Sequence, residues 1–259
     1  KHLKVKFNVP WIADLRDLWT QNHYYLYGLI RKHFDRKLEI NTLACADALV
    51  TVSKPWAKKL GSLHKKKPVF AILNGFDPGE VGTIPLTKKF TIIYTGWIYQ
   101  GEQDPKLLFQ ALHELIEERV IDPTSIRVRF FGPTHYWLEQ VIKKYHLENE
   151  VEQYGIVSRE LALKKQKESQ ILLLLTWNDP REHGVYPAKI FEYLAAKRPI
   201  LAIGMSSGVA SGLIEETQTG ISTTNLSTIK DTLAKWYKEY KLTSKVSYHG
   251  KYSEIQKYS

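Results

Sequence analysis

A lysine and a glutamate three residues apart, Lys189 and Glu192, stand near the start of a predicted helix that follows a short loop. The N-terminus of a helix presents unpaired backbone N–H groups and the positive end of the helix dipole, which suits phosphate. The dipole alone would favour an acid there, so Lys189 is better explained by an anion in front of it. Glu192, on the same helix face, could accept hydrogen bonds from vicinal hydroxyls, as an acid does for ribose in dinucleotide sites. The pair predicts a nucleotide site; the alternative is an ordinary surface helix with an exposed Lys–Glu pair.

One predicted βαβ unit positions this pair. The apolar run 171–175 predicts a buried parallel strand, and the loop after it leads to Pro187, which is expected at the first position of a helix. That helix should extend to about Lys197, because Pro199 cannot continue it. The apolar run 200–203 predicts the next parallel strand. The pair therefore lies near the N-terminus of the crossover helix.

The stretch 184–201 reads Gly-x-x-Pro-x-Lys-x-x-Glu-Tyr-Leu-Ala-Ala-x-x-Pro-Ile-Leu, which resembles the donor-nucleotide motif of glycosyltransferase family 4, a GT-B family. In that family the second acid of a Glu-x7-Glu pair binds the ribose, and Glu192 stands in that place. The first acid, which faces the donor sugar, falls at Gly184 in this chain. Glu182, two residues away, does not occupy that place. The resemblance therefore implies a role for Glu192 and leaves the first acid without a counterpart.

The resemblance implies transfer of a sugar from a nucleoside diphosphate sugar to a hydroxyl group, in polysaccharide or glycolipid synthesis. It implies retention of the anomeric configuration, no protein nucleophile, no metal and no cofactor besides the donor substrate, for which a UDP-sugar is the first expectation. Lys189 and Glu192 are the expected catalytic residues, with Lys189 stabilising the departing diphosphate. The expected donor-binding residues are these two with Gly96, Trp97, Gln103, Gly155, Ile156, Val157, His183, Gly184, Val185, Tyr186, Pro187 and Ala188.

The expected loop contacts rest on different parts of the resemblance. The backbone over 155–157 follows a predicted strand, where the family reads the donor base. For His183, a contact with the donor phosphate or sugar and a solvent-exposed loop histidine are equally good interpretations.

The predicted strand 90–96 ends in Tyr-Thr-Gly and precedes Asp-Pro at 104–105, which resembles the first strand of the family's donor domain. A glycine there lets the backbone approach a diphosphate. The family commonly places a basic residue in this loop, whereas here Gln103 takes that place and Lys106 is nearby. Together with Gly184, this departure favours the alternative function, a non-catalytic nucleotide-sugar-binding or assembly subunit on the same fold.

The chain has 259 residues and a formal net charge of +10. Its basic residues are scattered apart from the run 65–67, and no zinc-finger spacing or RRM-type pattern accompanies them, so nucleic acid is not an expected partner. The charge is explained either by a solvated basic surface or by peripheral binding to the anionic inner face of a membrane. No run reaches the roughly 18 apolar residues of a membrane span. The single Cys45 fits a reducing compartment, so a cytoplasmic location is expected.

Several enzyme classes lack their signatures. No Asp-x-Asp is present, which disfavours the metal-dependent GT-A glycosyltransferases. The GxGxxG, Walker A and HExxH patterns are absent too, which disfavours classical dehydrogenases, P-loop NTPases and zinc proteases.

Alternating strand and helix patterns predict an α/β fold with parallel sheets and crossover helices. The resemblance implies a GT-B architecture: a Rossmann-like donor domain and the end part of a second Rossmann-like domain, with most of the N-terminal domain lacking. We expect residues 1–78 to be the C-terminal part of the acceptor-side domain and 79–240 the donor domain. Residues 241–259 should return to the N-terminal domain. The remaining predicted strands are 9–14, 46–53, 68–73, 126–131, 151–155 and 220–223, and the remaining predicted helices are 24–45, 54–60, about 105–116, 136–145, 158–166, 208–216 and 226–240.

Residues 10–20 resemble a family stretch that reads Pro-Trp-Ile-Ala-Asp-x-Arg-Asp-x-Trp-Thr. Its charged cluster, Asp14, Arg16 and Asp17, has two interpretations. It either contacts the acceptor or forms a buried Asp–Arg pair that fixes the end of the strand.

Overall fold

The structure is a computed structural model. It describes residues 2–22, 24–78, 84–177, 179–204 and 207–259, and for Glu182 the backbone alone. The described residues form two compact units. The first comprises Lys1–Asn74 and Arg181–Tyr186, and the second comprises Gly75–Pro180 and Pro187–Ser259. The predicted boundary at residue 79 falls within 79–83, outside the described residues.

The first unit is built on a three-stranded parallel sheet in the order β1-β2-β3. Its strands are β1 (Ile12–Leu15), β2 (Ala48–Thr51) and β3 (Val69–Ala71), and its helices are α1 (His2–Phe7), α2 (Leu29–Leu43) and α3 (Lys54–Leu63). The side chain of Ser53 caps α3 by accepting a hydrogen bond from the backbone N–H of Trp56 at 3.3 Å. Trp56 then packs with Leu49 and Leu60 in the core of this unit.

The second unit contains a six-stranded parallel sheet in the order β6-β5-β4-β7-β8-β9. Its strands are β4 (Phe90–Thr95), β5 (Ile126–Phe131), β6 (Val151–Gln153), β7 (Ile171–Leu175), β8 (Ile200–Ile203) and β9 (Gly220–Thr223). Its helices are α4 (Lys106–Glu117), α5 (Tyr136–Lys144), α6 (Arg159–Glu168), α7 (Lys189–Ala196), α8 (Val209–Thr217), α9 (Leu226–Thr243) and α10 (Tyr252–Ile255). Counted within the unit, the strand order is 3-2-1-4-5-6, the order of a dinucleotide-binding Rossmann fold.

The patterning explains why these segments take these places. Every residue of β4, β7 and β8 is buried, as expected for central parallel strands covered by helices on both faces. The strands 171–175 and 200–203 have the predicted bounds. α4 presents one apolar stripe to the sheet, formed by Leu108, Phe109, Ala111, Leu112 and Leu115.

Some predicted boundaries differ from the observed ones. α7 begins at Lys189 because Pro187 forms a turn before it, in which the Pro187 carbonyl accepts a hydrogen bond from the N–H of Ile190 at 2.9 Å. α2 begins at Leu29, after a polar and aromatic loop for which the sequence pattern predicts helix. α1 lacks a counterpart in the sequence prediction.

The C-terminal segment 241–259 groups with the second unit. Its return to the N-terminal domain stays a prediction. Val246 joins the hydrophobic core around β4. The N–H of Lys251 donates to the carbonyl of Thr217 at 2.8 Å, and the N–H of Phe76 donates to the carbonyl of Tyr258 at 2.9 Å. These backbone bonds attach the segment to α8 and to the start of the second unit. Over the part of the chain that the structure describes, no helix is both long enough and apolar enough to cross a bilayer.

Candidate functional site

The strand order reverses between β4 and β7, and the candidate site lies where these two strands end. They pair in parallel through Ile92 with Ile171 and Ile93 with Leu172, while the sheet continues from them in opposite directions. In open α/β sheets, ligands bind in the crevice outside the carboxyl ends of the strands at such a switch point. Gly96, the residue after β4, lies at this edge.

Lys189 reaches the same edge from the first turn of α7. A Cβ built on Gly96 would lie 3.4 Å from the Lys189 ammonium, so the backbone after β4 and this cation are neighbours. Gly96 has a φ of 109°, which other residues rarely adopt. Glycine at this position therefore serves both the turn after β4 and the close approach of the lysine.

The Lys189 ammonium packs on Tyr94. It lies 3.7 Å from the centroid of the Tyr94 ring and donates a hydrogen bond to the Tyr94 hydroxyl. Among the described side chains it forms no ion pair with a carboxylate. Burial lowers the pKa of Lys189 to about 7, with Glu192 acting in the opposite direction. An amine held without a carboxylate partner at a switch point gains its charge when an anion binds, so this site is suited to an anionic ligand.

The Tyr94 hydroxyl also fixes the loop that follows β4. It donates to the carbonyl of Trp97 at 2.6 Å and lies 3.3 Å from the carboxamide oxygen of Gln103. That oxygen also accepts from the N–H of Tyr99 at 3.2 Å, and the Gln103 amide nitrogen donates to the carbonyl of Leu175 at 3.1 Å. Gln103 is 6% exposed, so its side chain is used to hold the loop against the end of β7. The predicted phosphate contact from Gln103 stays a prediction, and the geometry favours a supporting role.

Glu192 is held from two sides. One carboxylate oxygen accepts a hydrogen bond from Gln166 Nε2 at 3.2 Å, and the other lies 3.4 Å from Arg159 Nε. Both partners belong to α6. The Glu192 side chain is 29% exposed, so its carboxylate remains accessible to a ligand.

The buried residue beside Glu192 anchors this part of α7. The Tyr193 hydroxyl donates to the carbonyl of Leu173 at 3.0 Å and accepts from the N–H of Thr95 at 3.4 Å. Burial raises the pKa of Tyr193 above its ordinary value. The anchor ties α7 to the carboxyl end of β4 and to the middle of β7.

The predicted base-reading segment follows β6. Ile156 is 79% exposed, and Gly155 and Val157 are partly buried beside it. Tyr154 stacks on Phe131 with ring centroids 4.6 Å apart and an interplanar angle of 12°. This segment therefore offers an exposed apolar residue and a fixed aromatic ring at the end of β6.

A row of aromatic rings lies along the carboxyl edge of the second unit. In order along the row, the rings belong to Trp137, His135, Trp97, Tyr99 and Trp177. The distances between the centroids of neighbouring rings are 5.7, 5.8, 6.4 and 5.6 Å in the same order. Trp97 and Tyr99 are each about half exposed. This surface, which we call the aromatic row, can stack against a flat or apolar ligand face.

Four predicted donor-binding residues, His183, Gly184, Val185 and Tyr186, belong to the first unit. A Cβ on Gly184 would lie 2.3 Å from Trp56 Cδ1, and Val185 packs against the same core cluster. A side chain at position 184, the place that the resemblance gives to the first acid, would therefore overlap Trp56 unless one of them shifts. His183 is exposed, Tyr186 is partly buried, and in the second unit Pro187 is partly buried and Ala188 exposed.

The charged cluster of residues 10–20 forms a pair, but not a buried one. Arg16 Nε lies 3.0 Å from Asp14 Oδ2, and Arg16 Nη1 donates to Asn74 Oδ1 at 2.6 Å. The Arg16 and Asp14 side chains are 48% and 43% exposed. The buried member of this stretch is Thr20, whose N–H and hydroxyl both donate to the fully buried Glu39 carboxylate, with the N–H at 3.0 Å.

Four residues at the site were not predicted from the sequence: Tyr94, Gln166, Arg159 and Tyr193. Their places depend on how α6 and α7 pack against β4, which spacing along the chain does not encode. The described side chains include no group of three or more His, Cys, Asp or Glu residues arranged to hold a metal ion.

No protein-family model matches the sequence. No curated protein matches it in sequence either.

Solved structures do match the fold. TarM of S. aureus matches with a TM-score of 0.65 and 15% identity, over 97% of this chain and 48% of TarM. HepE of Anabaena, solved in complex with UDP, matches with a TM-score of 0.63 and 16% identity, over 93% of this chain and 65% of HepE.

A third match is the lipopolysaccharide outer core galactosyltransferase WaaB, with a TM-score of 0.58 and 15% identity over 82% of this chain and 58% of WaaB. These structures confirm the predicted α/β fold with parallel sheets. The chain shares the GT-B type of fold with these solved structures and spans about half the length of TarM.

Proposed function

We propose that this chain binds a nucleoside diphosphate sugar at the switch point of its second unit and forms part of a retaining glycosyltransferase. The observation that carries the proposal is the Lys189 ammonium, held on Tyr94 at the end of β4 without a carboxylate partner among the described side chains. An acid three residues further along the same helix, Glu192, supplies the acceptor that a ribose needs.

The donor is proposed to lie across the ends of the strands. Its diphosphate contacts the backbone at Gly96, after β4, and Lys189, at the start of α7. The helix dipole of α7 adds to the positive field there. Its ribose contacts Glu192, and its base lies along 155–157. Uridine is the first choice of base because HepE, which shares the fold, was solved with UDP and with UDP-glucose.

The sugar and its acceptor are proposed to lie beside the aromatic row, with Trp97 as the contact nearest to Gly96. Sugar rings present apolar C–H faces that stack on aromatic side chains. A hydroxyl group of a glycan or glycolipid is the proposed acceptor. The net charge of +10 supports peripheral binding at an anionic membrane face on the cytoplasmic side.

The proposed chemistry breaks the bond between the anomeric carbon and the diphosphate oxygen. The acceptor oxygen forms its bond to the same face of that carbon, and its proton passes to the departing diphosphate. Negative charge builds up on the diphosphate as the bond breaks, and Lys189, which the bound diphosphate keeps protonated, neutralises it. No protein nucleophile is needed for this sequence of events.

A second candidate function is a non-catalytic nucleotide-sugar-binding or assembly subunit. Its support is the place of the first acid, where this chain has Gly184 and an added Cβ would overlap Trp56. The buried Gln103 in place of the loop cation adds to this support.

Turnover separates the two functions. The experiment measures release of UDP from UDP-glucose, UDP-galactose and UDP-N-acetylglucosamine, with and without added glycan acceptors. A transferase releases UDP at a rate that Lys189→Met lowers about 100-fold or more, whereas Lys144→Met on α5 leaves it unchanged. Tight UDP binding with no release above background would favour the binding subunit.

A further inference from the structure

Gln166 is a fully buried amide on α6 that faces the candidate site. Its nitrogen donates two hydrogen bonds, to Thr95 Oγ1 at 2.9 Å and to Glu192 Oε2 at 3.2 Å. A carboxylate only accepts hydrogen bonds, so the nitrogen of Gln166, and not its oxygen, must face Glu192. The orientation of the amide is thus fixed by the acid that it contacts.

The other end of the same amide has no partner. Gln166 Oε1 is buried and accepts no hydrogen bond within the described residues. A buried acceptor without a donor lowers stability, and an apolar side chain of similar shape would avoid that loss. Stability alone therefore does not explain an amide here, whereas its bond to Glu192 does.

The second contact to Glu192 is of a different kind. Arg159 reaches the other carboxylate oxygen at 3.4 Å, but its side chain is 78% exposed. An exposed arginine moves away easily when a ligand arrives, since such a pair is worth little in water. Gln166 holds the carboxylate from the buried side, and Arg159 occupies the side that a ligand would take.

We propose that Gln166 is a positioning residue that fixes the Glu192 carboxylate for the two vicinal hydroxyls of a ribose, and so makes the site selective for ribonucleotides. This inference rests on the proposed function. Gln166 acts through Glu192 and does not touch the nucleotide. The alternative is a purely structural role, in which Gln166 links α6 to Thr95 and α7 without affecting ligand choice.

The test compares UDP with 2′,3′-dideoxy-UDP by calorimetry, because the two differ only in the hydroxyls that Glu192 would bind. The wild-type protein should bind UDP about 10- to 100-fold more tightly, the range of one or two charge-assisted hydrogen bonds. Gln166→Met removes the amide donor and should reduce the ratio of the UDP affinity to the dideoxy-UDP affinity to about 3 or less. GDP and ADP, with their dideoxy forms, replace the uridine pair if either binds more tightly than UDP.

Gln170→Met is the matched control. Gln170 is also a buried glutamine of the second unit, and its oxygen accepts from the N–H of Val246 at 3.0 Å. Gln170→Met should lower the stability of the protein without changing the ratio of its affinities for UDP and dideoxy-UDP. Gln166→Glu, which keeps the shape of the side chain but places a second acid against Glu192, should lower the ratio too and covers the case in which Gln166→Met does not fold.

The outcomes test the ribose site and the positioning role of Gln166 separately. A wild-type protein that binds neither nucleotide, or binds both equally, overturns the proposed ribose site and the role of Gln166 with it. If the wild-type protein prefers UDP over dideoxy-UDP and both Gln166 variants keep this preference, the ribose site stands and the positioning role of Gln166 is overturned. An equal loss of affinity for both nucleotides, with the ratio unchanged, would identify Gln166 as structural.

Discussion

The ammonium of Lys189 lies 3.7 Å from the centroid of the Tyr94 ring and donates a hydrogen bond to the hydroxyl of the same residue. A tyrosine attracts a cation through its ring, yet it does not supply the full charge that a carboxylate would. Burial therefore prevails and lowers the pKa of Lys189 to about 7. The site holds an amine that an arriving anion would convert to its charged form.

Binding of UDP should therefore take up a proton above neutral pH. At about pH 8 the free amine is mostly neutral and UDP has lost its last phosphate proton, so charging Lys189 in the complex requires about one proton per site. Calorimetry in two buffers of different ionisation enthalpy measures this uptake. Lys189→Met should bind roughly 10- to 100-fold more weakly and without uptake. Proton-independent binding by the wild-type protein would show that Lys189 does not face the phosphates.

The same amine should make the protein less stable. The pKa of Lys189 is lower in the folded chain than in the unfolded one, so the folded state binds fewer protons between about pH 7 and 10. The loss of stability is complete below pH 7 and disappears as the pH rises through that window. Lys189→Met should raise the midpoint of thermal unfolding by several degrees at about pH 6, and by less at about pH 10. A lower midpoint at both pH values would contradict the assigned burial.

Tyr94→Phe tests the hydroxyl separately from the ring. The variant keeps the stacking on Lys189 but leaves the carbonyl of Trp97 without its donor at 2.6 Å. We expect a loss of about 1–2 kcal/mol in the free energy of unfolding and a UDP affinity lowered about fivefold, as the loop after β4 loosens. Urea denaturation and calorimetry measure the two effects, with the exposed Tyr252→Phe as the control. Unchanged affinity would mean that the loop does not contribute to binding.

Gln103→Leu tests whether that residue supports the loop or contacts the donor. The substitution leaves the carbonyl of Leu175 and the N–H of Tyr99 unpaired, which should cost about 1–3 kcal/mol of unfolding free energy. Amide exchange over residues 97–103 should become faster. A variant as stable as the wild type but impaired in binding would instead indicate a direct contact between Gln103 and the donor.

Gly184→Ala probes the closed place of the first acid. The new methyl group would lie 2.3 Å from Trp56 Cδ1, so we expect a loss of about 1–3 kcal/mol through overpacking, visible by tryptophan fluorescence in urea. Gly28→Ala is the control, because a Cβ on Gly28 meets nothing within 4 Å. In the double variant Gly184→Ala/Trp56→Phe, the smaller ring should restore part of the lost unfolding free energy. A fully tolerated alanine would show that this place can accept a side chain.

Local patterns predicted most of the fold. The strands 171–175 and 200–203 are continuous apolar runs bounded by proline or polar residues, and they were found with their predicted bounds. Helix ends were harder to place. Pro187 initiates a turn and not the regular helix, and α2 starts later than its aromatic flank suggests.

The site was predicted in part, because only some of its partners are close in sequence. Lys189 and Glu192 share one helix, so their spacing could be read directly. Gln166 lies 26 residues from Glu192, and Tyr94 lies 95 residues from Lys189. These contacts arise when α6 and α7 pack on β4, and no local pattern indicates them.

The most direct test of the central claim is calorimetric binding of UDP, GDP and ADP to this chain, with Glu192→Ala measured alongside. We expect micromolar binding of one of them, UDP in the first place, and a binding free energy that Glu192→Ala weakens by about 1–3 kcal/mol. The control is Glu139→Ala on α5, which should bind as the wild type does. Binding that Glu192→Ala leaves unchanged, or no binding of any of the three nucleotides, would contradict a donor-nucleotide site at this switch point.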